Sequence, residues 1–208
     1  MTKEEKVKEI IKRLSKVYPH PKTALNFSTP LELLMATILS AQATDKVVNT
    51  VTPELFKRYK TAKDYANASV EEIDGMIKKV NFHNNKAKSV KAAAQMIVEK
   101  HVGKVPETME ELDALPGVAR KTANVVLGGA FKKSEGIVVD THVMRLSTKL
   151  GLTTEKDPVK IEQDLMKIVP KEHWIDFPHL LILFGREYCP ARPHKCEACP
   201  LGDLCPDK

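Results

Sequence analysis

The chain has 208 residues, with 33 Lys and Arg against 27 Asp and Glu and with 42% hydrophobic residues, the proportions of an ordinary globular protein. This composition excludes collagen, mucin-like stalks and disordered tails. The longest stretch without charge covers residues 33–44. It is shorter than the roughly 18 residues that a membrane-spanning helix needs, so we do not expect an integral membrane protein.

The N-terminal residues 1–6 carry charges of both signs and lack the apolar core of a signal peptide. They also lack the acid-free amphipathic pattern of a transit peptide. The sequence therefore predicts a cytoplasmic protein.

The distribution of charge is more informative than the net charge of +6, which a solvated surface would explain equally well. Five lysines and no acid lie between Lys78 and Lys91, and six bases face two acids between Ala119 and Lys149. Two separated basic segments favour a polyanion held in a groove, which indicates nucleic acid as the partner.

Apolar residues recur at helical spacing along most of the chain, and no segment alternates at period two for long enough to predict a strand. Helix-start residues agree, since Thr29, Ser69 and Asp157 each precede an apolar periodic segment. The sequence predicts an all-α fold. No stretch has the composition of a linker, so any two lobes are expected to pack together.

All four cysteines lie near the C-terminus, with the spacing Cys189-x6-Cys196-x2-Cys199-x5-Cys205. A zinc site more often uses two close Cys-x-x-Cys pairs, and a cytoplasmic location disfavours disulfides. Unequal spacing on a proline-rich tail favours a [4Fe-4S] cluster, with zinc and disulfides as the alternatives. In the same tail, Arg192 and Lys195 could contact phosphates or simply offset the thiolate charge.

Residues 110–126 predict a helix, a tight turn at Gly117 and a second helix. Glycine permits a sharp turn, and the free N–H groups at the start of the second helix can bind a phosphate. An ordinary hairpin of two helices is the alternative.

Several motifs carry a resemblance to a known family. Residues 115–126 read LPGVARKTANVV, residues 139–142 read VDTH and residues 39–45 read LSAQATD. Together with the cysteine tail, these motifs resemble the endonuclease III family of helix-hairpin-helix DNA glycosylases, and the similarity extends from Ile10 to Cys205.

The resemblance implies a bifunctional DNA glycosylase and AP lyase in base excision repair. Such an enzyme removes oxidised pyrimidines from duplex DNA and then cleaves 3′ to the abasic site by β-elimination. The resemblance also implies a [4Fe-4S] cluster on Cys189, Cys196, Cys199 and Cys205, and a monomer associated with the nucleoid of a prokaryote through DNA. It implies a bilobal fold, with a helical barrel over 22–132 and a second lobe made of 1–21 plus 133–208.

The family motif identifies Lys121 as the nucleophile and Asp140 as its catalytic carboxylate. Lys121 lies beside Arg120 in the first turn of the predicted helix, where the helix dipole disfavours an ammonium ion, although a lysine that pairs with phosphate is the alternative. Asp140 precedes a helix, so it could also be an N-cap, and the two roles are compatible.

A base inside a duplex must be flipped out before Lys121 can reach its sugar. The resemblance implies Gln42 as the polar residue that fills the gap and Phe82 as an apolar wedge. A surface glutamine and a core phenylalanine are the alternatives. Lys86 and Lys88 of the first basic segment are predicted to contact the DNA backbone.

The hairpin departs from the family pattern at one position. The family usually has a second glycine two residues after Gly117, whereas this chain has Ala119. A Cβ atom there is tolerated if φ is negative, but it narrows the approach to a phosphate.

Two other functions remain to be distinguished. A monofunctional adenine glycosylase shares the hairpin and cluster, but it lacks a lysine at the position of Lys121 and carries an additional C-terminal domain. A non-catalytic iron-sulfur protein that only binds DNA would not need both Lys121 and Asp140.

Overall fold

The structure, a computed structural model, describes residues 1–193 and 196–206, and within these ranges the chain is helical with no β-strand. The predicted all-α fold is confirmed. No helix in the described ranges combines the length and apolarity of a membrane span. The chain divides into two compact units, which are called here the internal unit, Ala24–Lys133, and the terminal unit, Met1–Thr23 with Ser134–Lys208. The bounds expected from the resemblance, 22–132, nearly coincide with those of the internal unit.

The internal unit contains seven α-helices, followed by a short π-helix over Leu127–Phe131. The α-helices are α2 (Pro30–Ser40), α3 (Asp45–Arg58), α4 (Ala62–Asn67), α5 (Val70–Ile77), α6 (His83–His101), α7 (Met109–Asp113) and α8 (Arg120–Val126). Within this unit α6 packs against α2, α4 and α5, and α8 packs against α2 and α7.

Helix α2 lies at the centre of the internal unit, because every residue from Leu33 to Leu39 is buried. Its start follows the predicted signal, since the Thr29 hydroxyl accepts a hydrogen bond from the Glu32 N–H and Pro30 occupies the first turn. Ser69 caps α5 in the same way. The sequence therefore fixes the starts of these helices locally.

The terminal unit joins the N-terminal helix to the C-terminal third of the chain. Its α-helices are α1 (Lys3–Val17), α9 (Thr141–Lys149), α10 (Pro158–Ile168) and α11 (Asp176–Glu187), with 3₁₀ turns at Lys171–His173 and Gly202–Leu204. Helix α1 packs against α10 and α11.

A two-pronged ion pair fastens α1 to the cysteine tail. The guanidinium of Arg13 donates to the carboxylate of Asp203, at 2.5 and 3.0 Å, and also to the carbonyl oxygen of Pro200, at 3.1 Å. Planar two-pronged pairing fixes direction as well as distance. This contact links the first helix directly to the cysteine tail.

Candidate functional site

The hairpin turn between α7 and α8 requires glycine at position 117 for two reasons. The backbone of Gly117 is left-handed, with φ of +77°. A Cβ atom there would lie 2.6 Å from the Cβ of Ser89 on α6, which is too close for any side chain. The turn is therefore closely packed on α6, which fixes where α8 begins.

Ala119 is the N-cap residue of α8 and has φ of −107° and ψ of 167°. This is ordinary extended backbone, so alanine replaces the family's glycine here without strain. Arg120 and Lys121 follow as the first two residues of α8, and both are exposed. The hairpin therefore presents the amine of Lys121 at the surface, directly after the glycine turn.

Asp140 in the terminal unit is the N-cap residue of α9. Its Oδ1 atom accepts the N–H of Val143 at 2.8 Å, and the residue is half-buried. The capping bond uses one carboxylate oxygen and fixes the direction of the other. The carboxylate is therefore oriented before any substrate binds.

Gln42 and Phe82 share an unusual backbone conformation. Both are left-handed, with φ of 52° and 57°, and both are exposed. Their loops are joined, because Nδ2 of Asn81 donates to the carbonyl oxygen of Gln42 at 3.2 Å. Phe82 is 62% exposed, so the alternative that it packs in the core is wrong. Left-handed backbone outside glycine is rare and concentrates at functional sites.

The structure corrects the prediction for Lys86. Its side chain is buried, with 6% exposure, and its ammonium donates to the carbonyl oxygen of Leu39 at 2.8 Å. Burial lowers the pKa of Lys86. Lys86 cannot contact a DNA phosphate, because its amine is used inside the internal unit. The sequence does not indicate this burial, because residue type alone does not show whether a lysine side chain points inward or outward.

A second lysine of that segment also points inward. Lys91 donates to the carbonyl oxygens of Ala66 and Ala68, at 2.8 and 2.6 Å, at the end of α4. Lys88 is exposed, as are Lys78 and Lys79. The basic surface of this segment is therefore narrower than its lysine content suggests.

All four cysteines are free thiols, and all four line one pocket in the terminal unit. The pocket is otherwise mainly apolar, with Leu146, Leu150, Phe184 and Leu201 among its lining residues. Burial, followed by the nearness of the other three thiols, raises the pKa of Cys199. Ionising Cys199 in this pocket therefore requires a positively charged partner.

Arg145 on α9 supplies positive charge beside the cysteines. Its guanidinium donates to the carbonyl oxygen of Cys189 at 2.6 Å and lies 3.8 Å from the sulfur of the same residue. The same helix begins at Asp140. Arg145 was not predicted as a site residue, because no motif in the sequence connects it with the cysteines.

Two basic residues of the tail were also predicted to contact DNA. Arg192 is exposed, and Lys195 lies outside the described residues.

The π-helix after α8 was not predicted. Its Gly129 packs so closely on α2 that a Cβ atom would lie 2.6 Å from Cδ2 of Leu33. The Gly128-Gly129 pair was the available signal, since glycine inside a helical segment often marks close packing.

Comparison with known proteins places the chain in a family. The sequence profile of the HhH-GPD superfamily base excision DNA repair protein family matches residues 35–171. The chain is 50% identical to endonuclease III of Synechocystis sp. over 99% of its own length and 94% of that protein. It is 44% identical to endonuclease III of Escherichia coli K12 over 95% of its length and 93% of that protein.

A solved structure agrees with these sequence relatives. A trapped covalent intermediate of endonuclease III with DNA, in an estranged-adenine complex, matches with a TM-score of 0.92 and 40% identity, covering 99% of this chain and 97% of that one. The chain belongs to the endonuclease III family of base excision DNA repair proteins.

Proposed function

We propose that this member of the endonuclease III family is a bifunctional DNA glycosylase and AP lyase that removes oxidised pyrimidines from duplex DNA, with Lys121 as its nucleophile. The observation that carries the assignment is the exposed amine of Lys121 at the second position of α8, directly after the Gly117 turn. The related endonuclease III trapped in a covalent intermediate with DNA supports a nucleophile supplied by the enzyme.

The chemistry begins with the neutral amine of Lys121. It attacks C1′ of the damaged nucleotide, the bond from C1′ to the base breaks, and the base leaves with the electron pair and takes up a proton. Loss of the amine proton and opening of the sugar ring give an imine between Lys121 and C1′. Removal of a C2′ proton then expels the 3′ phosphate, and water hydrolyses the imine to release the enzyme.

Asp140 acts on charge in this scheme. Positive charge builds on the deoxyribose as the base departs, and an oriented carboxylate stabilises it. The same carboxylate can accept a proton from the attacking amine. Its capping bond to Val143 fixes the direction of the carboxylate.

The hairpin and exposed basic side chains bind the DNA backbone. Gly117 and Ala119 leave the turn free of bulky side chains, and Arg120, Lys88 and Arg192 supply positive charge. When the damaged nucleotide is flipped out, Gln42 and Phe82 fill the gap that it leaves in the base stack.

The cysteine pocket holds a [4Fe-4S] cluster through Cys189, Cys196, Cys199 and Cys205. A [4Fe-4S] cluster would take one thiolate at each of its four corners, and all four cysteines line this pocket. Held by these four residues, the cluster would supply the positive charge that thiolate ligands require. The protein would work as a cytoplasmic monomer at the nucleoid.

A duplex that contains one thymine glycol tests the proposal. Wild type should release the damaged base and cleave the strand together. Lys121→Gln should do neither while retaining DNA binding, and Asp140→Asn should bind but turn over slowly. Base release without strand cleavage by wild type would instead support a monofunctional glycosylase, and binding without either reaction would support a non-catalytic protein.

A further inference from the structure

The proposed reaction leaves one buried cation without a function. Lys86 is the only lysine or arginine that is buried among residues 1–193 and 196–206. Its lowered pKa has burial as the cause, with no contribution from a carboxylate. An isolated buried ammonium is costly to a protein, so its single short hydrogen bond deserves an explanation.

That bond ends at the last turn of α2. The carbonyl oxygen of Leu39, which accepts from Lys86 at 2.8 Å, lies one residue before the helix ends at Ser40. Carbonyls in a final turn lack helical partners and carry the negative end of the helix dipole, so a cation satisfies them well. The left-handed Gln42 follows three residues after this anchor.

A second hydrogen bond, from the residues that precede α6, reaches Gln42 itself. Asn81, just before α6, donates to the carbonyl oxygen of Gln42 at 3.2 Å. Phe82 lies between Asn81 and α6 with its own left-handed backbone. The next residue, His83, contacts the Asp74 carboxylate of α5 at 2.5 Å. The start of α6 is thus fixed on both sides of Phe82, and this segment contacts both Gln42 and the end of α2 that precedes it.

We infer that Lys86 and Asn81 are positioning residues that hold Gln42 in its left-handed conformation, so that Gln42 is placed to fill the gap before DNA binds. The inference rests on the proposed function and deepens it. Glutamine favours right-handed or extended backbone, so a left-handed turn persists only where its surroundings impose it. Imposing it in the folded protein moves the cost of ordering from DNA binding to folding.

The test compares two lysines of the same helix. Lys86→Met removes the ammonium and keeps the length of the side chain. Lys91→Met does the same for a lysine whose ammonium contacts the end of α4 instead of the end of α2. Single-turnover release of thymine glycol should fall by about tenfold in Lys86→Met, because one charge-assisted hydrogen bond shifts an equilibrium by roughly that factor. Lys91→Met should release the base at the wild-type rate.

A Gln42→Ala background separates positioning from a general structural role. If Lys86 acts through Gln42, then Lys86→Met should cause no further loss when residue 42 is already alanine. A tenfold loss that persists in this background would overturn the inference, as would a wild-type rate for Lys86→Met itself.

Asn81→Ala gives a second variant whose fold is not at risk, because Asn81 is exposed. It should slow base release by about threefold, as expected for one neutral hydrogen bond, and this effect should also vanish in the Gln42→Ala background. An unchanged rate would contradict the inference. If wild type releases no base at all, the proposed function has failed; if wild type is active and these variants match it, only the positioning role has failed.

Discussion

Gly117 lies so close to Ser89 that a Cβ atom at position 117 would come within 2.6 Å of the serine Cβ. The turn that precedes Lys121 is therefore fixed by α6, the helix that also holds the Gln42 turn. One helix thus positions two segments to which we assign different steps of the reaction.

Replacing Gly117 by alanine should destabilise the protein by about 2 kcal/mol, since the left-handed backbone and the Ser89 contact both oppose a side chain. The matched control is Gly75→Ala in α5, where a Cβ atom meets nothing within 4 Å. It should stabilise the helix by roughly 0.5–1 kcal/mol. Denaturant unfolding measures both changes, and equal effects from the two variants would contradict this account of the turn.

The exposed lysine of the first basic segment should contribute to DNA binding through its charge. Lys88→Gln should make the log-log dependence of non-specific DNA affinity on salt shallower by about 0.9, which is the contribution of one phosphate contact. Lys100→Gln, an exposed lysine near the other end of the same helix, is the control and should leave the slope unchanged. A slope that is the same in Lys88→Gln as in wild type would show that Lys88 does not contact the DNA backbone.

Local signals in the sequence predicted much of this architecture. Thr29, Ser69 and Asp157 cap helices where their side chains indicated, because capping depends only on neighbouring backbone. Asp140 caps α9 for the same reason. Ala119 fits because its φ is negative, the one condition under which alanine could replace the family's glycine.

Features that depend on packing between distant segments were not predictable. The burial of Lys86 depends on the end of α2, which lies 47 positions earlier in the chain. The exposed position of Phe82 depends equally on how α6 packs. The family resemblance named Gln42 and Phe82, but only the structure shows that both have left-handed backbone.

Two left-handed residues other than glycine, Val102 and Lys132, lie away from the candidate site. Val102 is left-handed, with φ of 53°, and 90% exposed at the end of α6. Asparagine tolerates this conformation better than a β-branched residue, so Val102→Asn should raise the free energy of unfolding by about 1 kcal/mol. Val159→Asn, at an exposed helical position in α10, should change it by less than about 0.5 kcal/mol. Denaturant unfolding checks both values, and a loss of stability in Val102→Asn would show that valine is favoured there.

The cysteine pocket should make the purified protein brown, with about four irons per chain. Cys199→Ser should lose the cluster, because a missing thiolate leaves one corner without its ligand. Iron analysis and the visible absorption spectrum measure this directly. A colourless protein with stoichiometric zinc would contradict the assignment.

The most direct test of the central claim is to trap the imine on Lys121. Borohydride added during reaction with abasic-site DNA should reduce the imine and leave a covalent adduct between protein and DNA. Proteolysis and mass spectrometry should then place the adduct on the peptide that contains Lys121, and Lys121→Gln should form none. An adduct on another lysine, or trapping by Lys121→Gln at the wild-type rate, would contradict the account.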